Sequence, residues 1–306
     1  LDSAFGAPSN PALTILGMGK LGVRELILSS DIDIFCVFAE DGETSGPRVR
    51  DHGDYFTRLT QQLAKSLDAL TVDGFVARVD QRLRPWGSAG QLAIPVVACE
   101  DYYEVHGREW ERFALLKARP VAGDRDLGTN LLDSLKPFMY RKYLDFGVFE
   151  SIRDLKSKIE TEVRRNGRDQ NVKVGRGGIR EIEFIVQSMQ LLRGGQIPTL
   201  QVTGFLEALS ALVDESILTA DDGRQLREDY LWLRHVEHVI QAENDQQTQE
   251  LPADCGPLAA VLGFESADQF ETVRRQVTDR VHEAFVSFMR VEQPVEPQQT
   301  QVSEAV

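Results

Sequence analysis

Cysteine is scarce in this chain of 306 residues: only Cys36, Cys99 and Cys255 are present. An odd number at wide spacing excludes a disulfide framework and a zinc site built on paired thiols. Cys36 falls in an apolar run and reads as a small buried hydrophobe, and a reducing cytoplasm is the simplest setting. Long apolar runs are missing too. None approaches the ~20 residues that a membrane-spanning helix needs, so no membrane role is expected, and the start of the chain lacks the pattern of a signal peptide. Positive charge is in deficit, with 34 Lys and Arg against 48 Asp and Glu, a formal net charge of −14. An acidic surface repels phosphate backbones, which argues against nucleic acid as a partner. A small nucleotide carried with a divalent cation stays compatible, because only the field at the site matters. There is no glycine-flanked nucleophilic serine, no Walker-type loop and no internal repeat. Leu1 in place of Met leads us to expect a piece of something longer.

Enough apolar residues are present for a sizeable core, and the length favours two subdomains over one. Ala12 to Leu16 reads as a short buried strand, followed by a glycine-studded turn from Gly17 to Gly22. Glu25 to Leu28 fits a short helix or an extended link equally well. Asp31 to Phe38 reads as a strong strand, continuously apolar after Asp33, as when both faces are covered. Phe56, Leu59, Leu63, Leu67 and Leu70 recur at helical spacing. Gly74 to Leu83 alternates like a strand, and Gln91 to Val97 reads as another. From Glu100 onward the pattern is almost wholly helical. Helices are expected over about 149–163, 179–192 (stopped by Gly194 and Gly195), 204–218, 221–250 and 267–290, packed as a bundle. The tail from Gln293 has no period and is expected to be disordered.

The informative segment is Gly17-Met18-Gly19-Lys20-Leu21-Gly22, followed by Ser29-Ser30-Asp31-Ile32-Asp33. Residues i and i+2 of a strand face the same side, so Asp31 and Asp33 can converge on one cation. Mg²⁺ suits them, since it takes hard oxygen ligands, one or two carboxylates plus substrate phosphates. Gly17 and Gly19 permit close backbone approach to a ligand, and exposed N–H groups there can cradle phosphate oxygens. Taken singly, a glycine turn or an Asp-x-Asp pair is common; in this order, strand, turn and acidic strand are specific. Asp80 is the candidate third carboxylate of a two-metal arrangement. On an extended strand it shares a face with Val76, Arg78, Arg82 and Arg84, which places guanidiniums beside phosphate oxygens. Lys20 either touches phosphate or is simply exposed. Arg108, Glu109, Glu111, Arg112, Lys117 and Arg119 flank Trp110 and Phe113, and helix-surface ion pairs explain them as well as a role at the site does. Glu181 and Glu183, two apart on a helix, do not share a face, whereas Arg180 and Glu181 could reach the site from the bundle. His235 and His238 read as a solvated helix face.

These residues resemble the nucleotidyltransferase superfamily of DNA polymerase β type, and more closely the glutamine synthetase adenylyltransferases. The resemblance continues through Val79-Asp80-Gln81-Arg82-Leu83-Arg84-Pro85, Gly107 to Arg112, Lys117 to Arg119, Gly177 to Phe184 and Asn244 to Gln249. It covers nearly the whole chain except the tail. It implies an α+β fold with a nucleotidyltransferase-type mixed sheet and helices, expected over residues 1–123; the helical pattern then gives a bundle over 124–290, and the composition a disordered tail over 291–306. Enzymes of this family carry two such domains, one adding AMP to a tyrosine of glutamine synthetase and one removing it with inorganic phosphate. Ser30 and its neighbour before Asp31, the Gly107–Arg112 run and Arg180 before Glu181 resemble the removing half. The sequence departs from the family at Val23, where a glycine is usual, and at Ile27. Valine does not easily adopt positive φ, so either the turn does not need that conformation or it differs locally.

The expected chemistry follows. Asp31, Asp33 and Asp80 would hold one or two Mg²⁺ ions. Gly17, Gly19, Lys20, Ser30, Arg82 and Arg84 would contact nucleotide (ADP or ATP) and phosphate groups. Glutamine synthetase would be the protein substrate, and a PII-type signalling protein a further partner. Two alternatives stay open: ATP-dependent adenylylation, and a non-catalytic domain that binds glutamine synthetase or a PII-type protein.

Overall fold

The computed structural model describes residues 1–28, 30–140, 170–243 and 248–291. After a short helix α1 (Asp2–Phe5), the chain enters β1 (Leu13–Gly17), a single helical turn α2 (Gly19–Gly22) and β2 (Ile32–Phe38). Helix α3 (His52–Asp68) leads to β3 (Val79–Asp80), β4 (Ala93–Pro95), α4 (Val96–Val105), α5 (Glu109–Leu115) and β5 (Arg119–Gly123). The strands form one mixed sheet, as the α+β expectation requires. Its order is β3-β2-β1-β5, with β4 joining β3 on the same edge of β2. β1 runs antiparallel to β2 and β5, whereas β3 and β4 run parallel to β2.

Both faces of the sheet are covered, which explains the unbroken apolar run of β2. Leu16, Phe35 and Val37 face a core shared with α4, α5 and the helices that follow. Ile15, Cys36 and Phe38 face the other way, onto Tyr55 and Phe56 of α3. Only Ile32 and Asp33, at the start of β2, are half-exposed. The strand therefore emerges from the core where its carboxylates begin.

Helices α6 (Arg125–Ser134) and α7 (Lys136–Met139) pack back on the sheet, with Leu131, Leu135 and Met139 in its core. The rest of the described chain is helical: α8 (Ile179–Arg193), α9 (Phe205–Asp214), α10 (Ala220–Ala242), α11 (Gly256–Val261) and α12 (Ala267–Val291). They enclose a second core centred on Ile182, Leu212, Leu233 and Phe270. No helix of the described residues is long and apolar enough to cross a membrane. The expected helix over 149–163 and the tail from Gln293 lie outside the described residues.

Four expectations need correction. The strand over Gly74–Leu83 shrinks to Val79 and Asp80. Gly74 takes φ 95° in a turn closed by Thr71, and the Asp80 carboxylate accepts from Arg82 N at 2.8 Å, an Asx-type turn that ends the strand. The region after Glu100 is not wholly helical, because β5 pairs with β1 and completes the sheet. Its Pro120 sits at the edge, beside a register shift, where a missing N–H is tolerated. Gln91–Val97 splits, because Pro95 ends β4 and caps α4. Glu111 and Arg112 are buried rather than on the surface, although Arg112 keeps an i,i+3 ion pair with Glu109 at 3.2 Å. Glu111 accepts from Tyr102 Oη at 2.8 Å and from Arg108 N at 2.8 Å, and the Arg112 guanidinium donates to the Phe138 carbonyl.

Candidate functional site

Parallel pairing of β2 with β3 sets Asp33 directly opposite Asp80. Paired residues of adjacent strands point to the same face, so two carboxylates from distant parts of the sequence become neighbours. Asp31 precedes the strand, and Ile32 N donates to Arg78 O at 2.9 Å, which extends the pairing by one link. The glycine turn closes over this point. Met18 N donates to Asp33 O at 2.8 Å, and Gly19 takes φ 50°. A Cβ on Gly19 would lie 2.4 Å from Asp33 Oδ2, so glycine is required both for the backbone and for room at the carboxylate. Gly22 packs on the Lys117 carbonyl, which a Cβ would approach to 1.7 Å. Arg119 locks the turn from below, donating to the Leu21 and Gly22 carbonyls at 3.0 and 2.9 Å. Val23 sits at φ −85°, and Arg24 carries the positive φ of 61° instead, so valine costs the turn nothing.

A cavity of about 250 Å³ opens here. Gly19, Lys20, Ser30, Asp31, Asp33, Asp80 and Arg82 all line it. Gly17 and Arg84 do not. Gly17 is the last residue of β1, and Arg84 is buried in its own loop, donating to the carbonyls of Gln81, Ser88 and Gly90. The charges on this wall are unevenly met. Asp31 accepts from Arg78 Nε at 2.7 Å, and Asp80 from Arg82 Nη2 at 2.5 Å. The Arg82 hydrogen bond holds the Asp80 carboxyl below its usual range, although burial opposes it. The Asp33 carboxyl is pushed up to about 6, chiefly by burial and then by the Asp80 and Asp31 charges beside it. Of the three carboxylates it is the one with no hydrogen bond or ion pair to a described residue, although Lys173 and Arg82 act on it through space.

The opposite wall comes from the helical half, and here sequence reasoning missed several residues. Lys173 and Glu183 line the cavity beside Lys117, Arg234 and Gln249. Lys117 Nζ bonds Glu183 Oε1 at 3.0 Å. Burial raises the Glu183 carboxyl, but Lys117 and Lys173 outweigh it and the net shift is downward. Glu181, expected to reach the site, turns away and pairs with His282 at 3.1 Å. Glu183 reaches it instead, because two residues along a helix rotate the side chain to the other face. Behind the glycine turn, the fully buried Glu237 accepts from Lys20 at 3.0 Å, from Gln249 at 3.2 Å and from Arg234. Arg234 also reaches Glu25, whose carboxylate takes the Tyr230 hydroxyl at 2.8 Å. Glu25 to Leu28 is thus neither helix nor strand but a link pinned to α10. His235 and His238 are not among the residues lining the cavity. The signal for Lys173 was its place in an Asn-x-Lys turn before a helix, which carries no meaning until the fold sets it opposite Asp33.

As placed, the carboxylates are not a closed metal cage. No group of three His, Cys, Asp or Glu among the described residues is poised to hold an ion. The donor set nevertheless suits a hard cation: three carboxylates at one end of the β2–β3 pair, with Arg82 standing on Asp80 as an exposed counter-charge. Arg82 is exposed and Asp80 is not, so the guanidinium can swing out to solvent.

A profile described as glutamate-ammonia ligase adenylyltransferase matches residues 4–134, and one described as PII-uridylyltransferase matches residues 153–289. A protein of Hahella chejuensis is 48% identical over 307 residues, covering 97% of this chain and 32% of its own length. Proteins of Pseudomonas putida and Pseudomonas aeruginosa are 51% and 50% identical, covering 88% and 83% of this chain and 28% and 26% of their own lengths. All three are described as bifunctional glutamine synthetase adenylyltransferase/adenylyl-removing enzymes. The chain spans about a third of the length of these curated relatives or somewhat less.

Proposed function

We propose that this chain, whose residues 4–134 match the glutamate-ammonia ligase adenylyltransferase family, removes AMP from an adenylylated tyrosine of glutamine synthetase by phosphorolysis. A phosphate oxygen attacks the phosphorus of the tyrosyl-AMP ester, the bond to the tyrosine oxygen breaks, and the products are ADP and tyrosine. The observation that carries the reading is the cavity in which the carboxylates Asp33 and Asp80 of β2 and β3 share a lining with Lys173 of the helical half and with Lys117, just before β5. Such a site holds a nucleoside phosphate between opposite charges. The removing direction is supported by Ser30 before Asp31 and by Arg180 before Glu181, the features that resemble that half of the family.

Asp31, Asp33 and Asp80 would hold Mg²⁺, Asp80 being the carboxylate that Arg82 pairs with in this structure. Bound there, Mg²⁺ would supply charge neutralisation at the AMP phosphate and help to the leaving oxygen. The chain's own groups do the positioning. Gly19 brings its backbone against Asp33, Ser30 and Lys20 lie along the wall, and Arg82 offers its charge to a phosphate oxygen. Arg84 holds the loop that carries Asp80 and Arg82. Phosphate is already anionic and the leaving phenol has an ordinary pKa of ~10, so no strong protein base is required. In this reading residues 1–123 form the catalytic domain and 124–290 the helical one, with 125–140 packing back onto the sheet. A PII-type signalling protein is the proposed regulatory partner, supported by the match over 153–289, and a cytoplasmic setting fits both partners.

The relatives' description covers both directions, so ATP-dependent adenylylation is the second reading. One assay separates them. Adenylylated glutamine synthetase, the chain, Mg²⁺ and inorganic phosphate should release ADP. AMP transfer from ATP onto the unmodified synthetase, with no phosphate-dependent ADP, would reverse the assignment.

A further inference from the structure

Five cationic side chains line the cavity, and four of them are committed. Lys20 bonds Glu237 at 3.0 Å, Lys117 bonds Glu183 at 3.0 Å, Arg82 holds Asp80, and Arg234 holds Glu237 and Glu25. Lys173 is the exception: its ammonium makes no hydrogen bond or ion pair with any described residue. Glu183 and the buried Glu237 act on it only through space, and both are already bonded, the first to Lys117 and the second to Lys20 and Arg234. The pair of lysines around one glutamate leaves this wall with a net positive charge, directed at the cavity.

The backbone under Lys173 is held rigidly. Its N–H donates to Asn171 Oδ1 at 3.0 Å, and its carbonyl accepts from Arg180 N at 2.9 Å. Val172 N, next to it, donates to Gln249 O at 2.9 Å, which joins the turn to a segment that also lines the cavity. Gly177, at φ 69°, closes the turn so tightly on α12 that a Cβ would come within 1.9 Å of Thr278 O. A half-buried lysine is thus fixed in the cavity wall on a turn with little freedom, within electrostatic reach of both Asp33 and Lys117. A preorganised cation of this kind binds an anion without the cost of ordering itself.

We propose that Lys173, with Lys117 beside it, is the binding site for the acceptor phosphate, a free inorganic phosphate anion held against the helical wall opposite Asp33. The proposal rests on the phosphorolysis reading. It divides the work: the carboxylate wall takes the AMP phosphate with its cation, and the lysine wall takes the attacking phosphate. Lys20, held by Glu237, serves to fasten the glycine turn to α10. The same cationic wall could otherwise serve the β- and γ-phosphates of ATP, and the experiment separates the two sources.

Binding of inorganic phosphate alone, and of ATP, is measured by calorimetry on the full chain and on Lys173→Met, Lys173→Gln and Lys173→Arg. Urea midpoints and Mn²⁺ affinity serve as controls. Lys173→Met and Lys173→Gln should weaken phosphate binding at least tenfold and raise KM for phosphate by a similar factor. KM for the adenylylated synthetase and Mn²⁺ affinity should stay as they are, and Lys173→Arg should recover most of the loss. Undiminished phosphate binding in the Met and Gln variants overturns the proposal, as does a fall in kcat at constant KM for phosphate. Weaker ATP binding with phosphate binding intact overturns it in favour of the ATP source. Lysine-dependent phosphate binding by a chain that releases no ADP upholds the anion site and refutes phosphorolysis instead.

Discussion

Gly19→Ala should separate the stability of this fold from the geometry of its site. Alanine at φ 50° sits in the left-handed region, which costs roughly 1–2 kcal/mol. Its Cβ would lie 2.4 Å from Asp33 Oδ2, about 1 Å inside ordinary contact. The Asp33 backbone cannot retreat: its carbonyl accepts from Met18 N, and its strand is paired with Asp80. The carboxylate must therefore swing by about 1 Å, and a misplacement of ~1 Å at a reacting centre costs about 10²-fold in rate. We expect a folded variant, destabilised in urea by about 1–2 kcal/mol, with phosphate-dependent ADP release down about 100-fold and Mn²⁺ affinity reduced in parallel. Gly19→Asn divides the two effects. Asparagine tolerates the left-handed conformation but still carries a Cβ, so stability should recover and activity should not. A Gly19→Ala chain that loses stability yet keeps activity within about threefold, under 1 kcal/mol, would show that Asp33 accommodates the methyl group and would refute the argument.

Glu237→Gln should destabilise the chain by about 3–5 kcal/mol, because it leaves Lys20 and Arg234 without the charge they share in a buried setting. Urea denaturation checks this, and a change below about 0.5 kcal/mol, the size of an ordinary surface substitution, would contradict the clamp. Asp33→Asn should abolish turnover while stabilising the chain in EDTA at neutral pH. The folded carboxyl titrates at about 6 against 3.8 unfolded, so between these values the folded state binds the extra proton and stability falls as pH rises. The asparagine variant should lack that fall, as followed by thermal melts from pH 4 to 7. An unchanged pH profile would mean that Asp33 is not the crowded carboxylate described here.

Much of the architecture near the site was legible from local pattern. The apolar run after Asp33 announced a strand buried on both faces, and β2 is covered by α3 on one side and α4 on the other. Helical spacing of apolar residues located α3, α8, α9 and α12 to within a few residues. The long alternating stretch from Gly74 misled, because alternation does not show that a partner strand exists. Only Val79 and Asp80 find one, and the Asp80 side chain then turns the backbone away. β5 was hidden for the converse reason, since five residues with a proline look like a link until β1 supplies the pairing.

The chemistry of one wall could be read from a few neighbouring residues. Asp31 and Asp33 lie two apart beside a glycine turn, and covalent neighbours on a strand stay neighbours in any fold that keeps the strand. Asp80 was legible only as a candidate, and the parallel register opposite Asp33 decided its place. The other wall belongs to the tertiary structure alone. Lys173, Glu183 and Arg234 are spread over 62 residues of helix and turn, more than 130 positions from Asp33. No local periodicity links them to it. They meet the carboxylates because α8 and α10 pack with their polar faces toward the strand end while their apolar faces fill a separate core. The charge pattern of the cavity is thus a product of packing, which acts on residues distant along the chain.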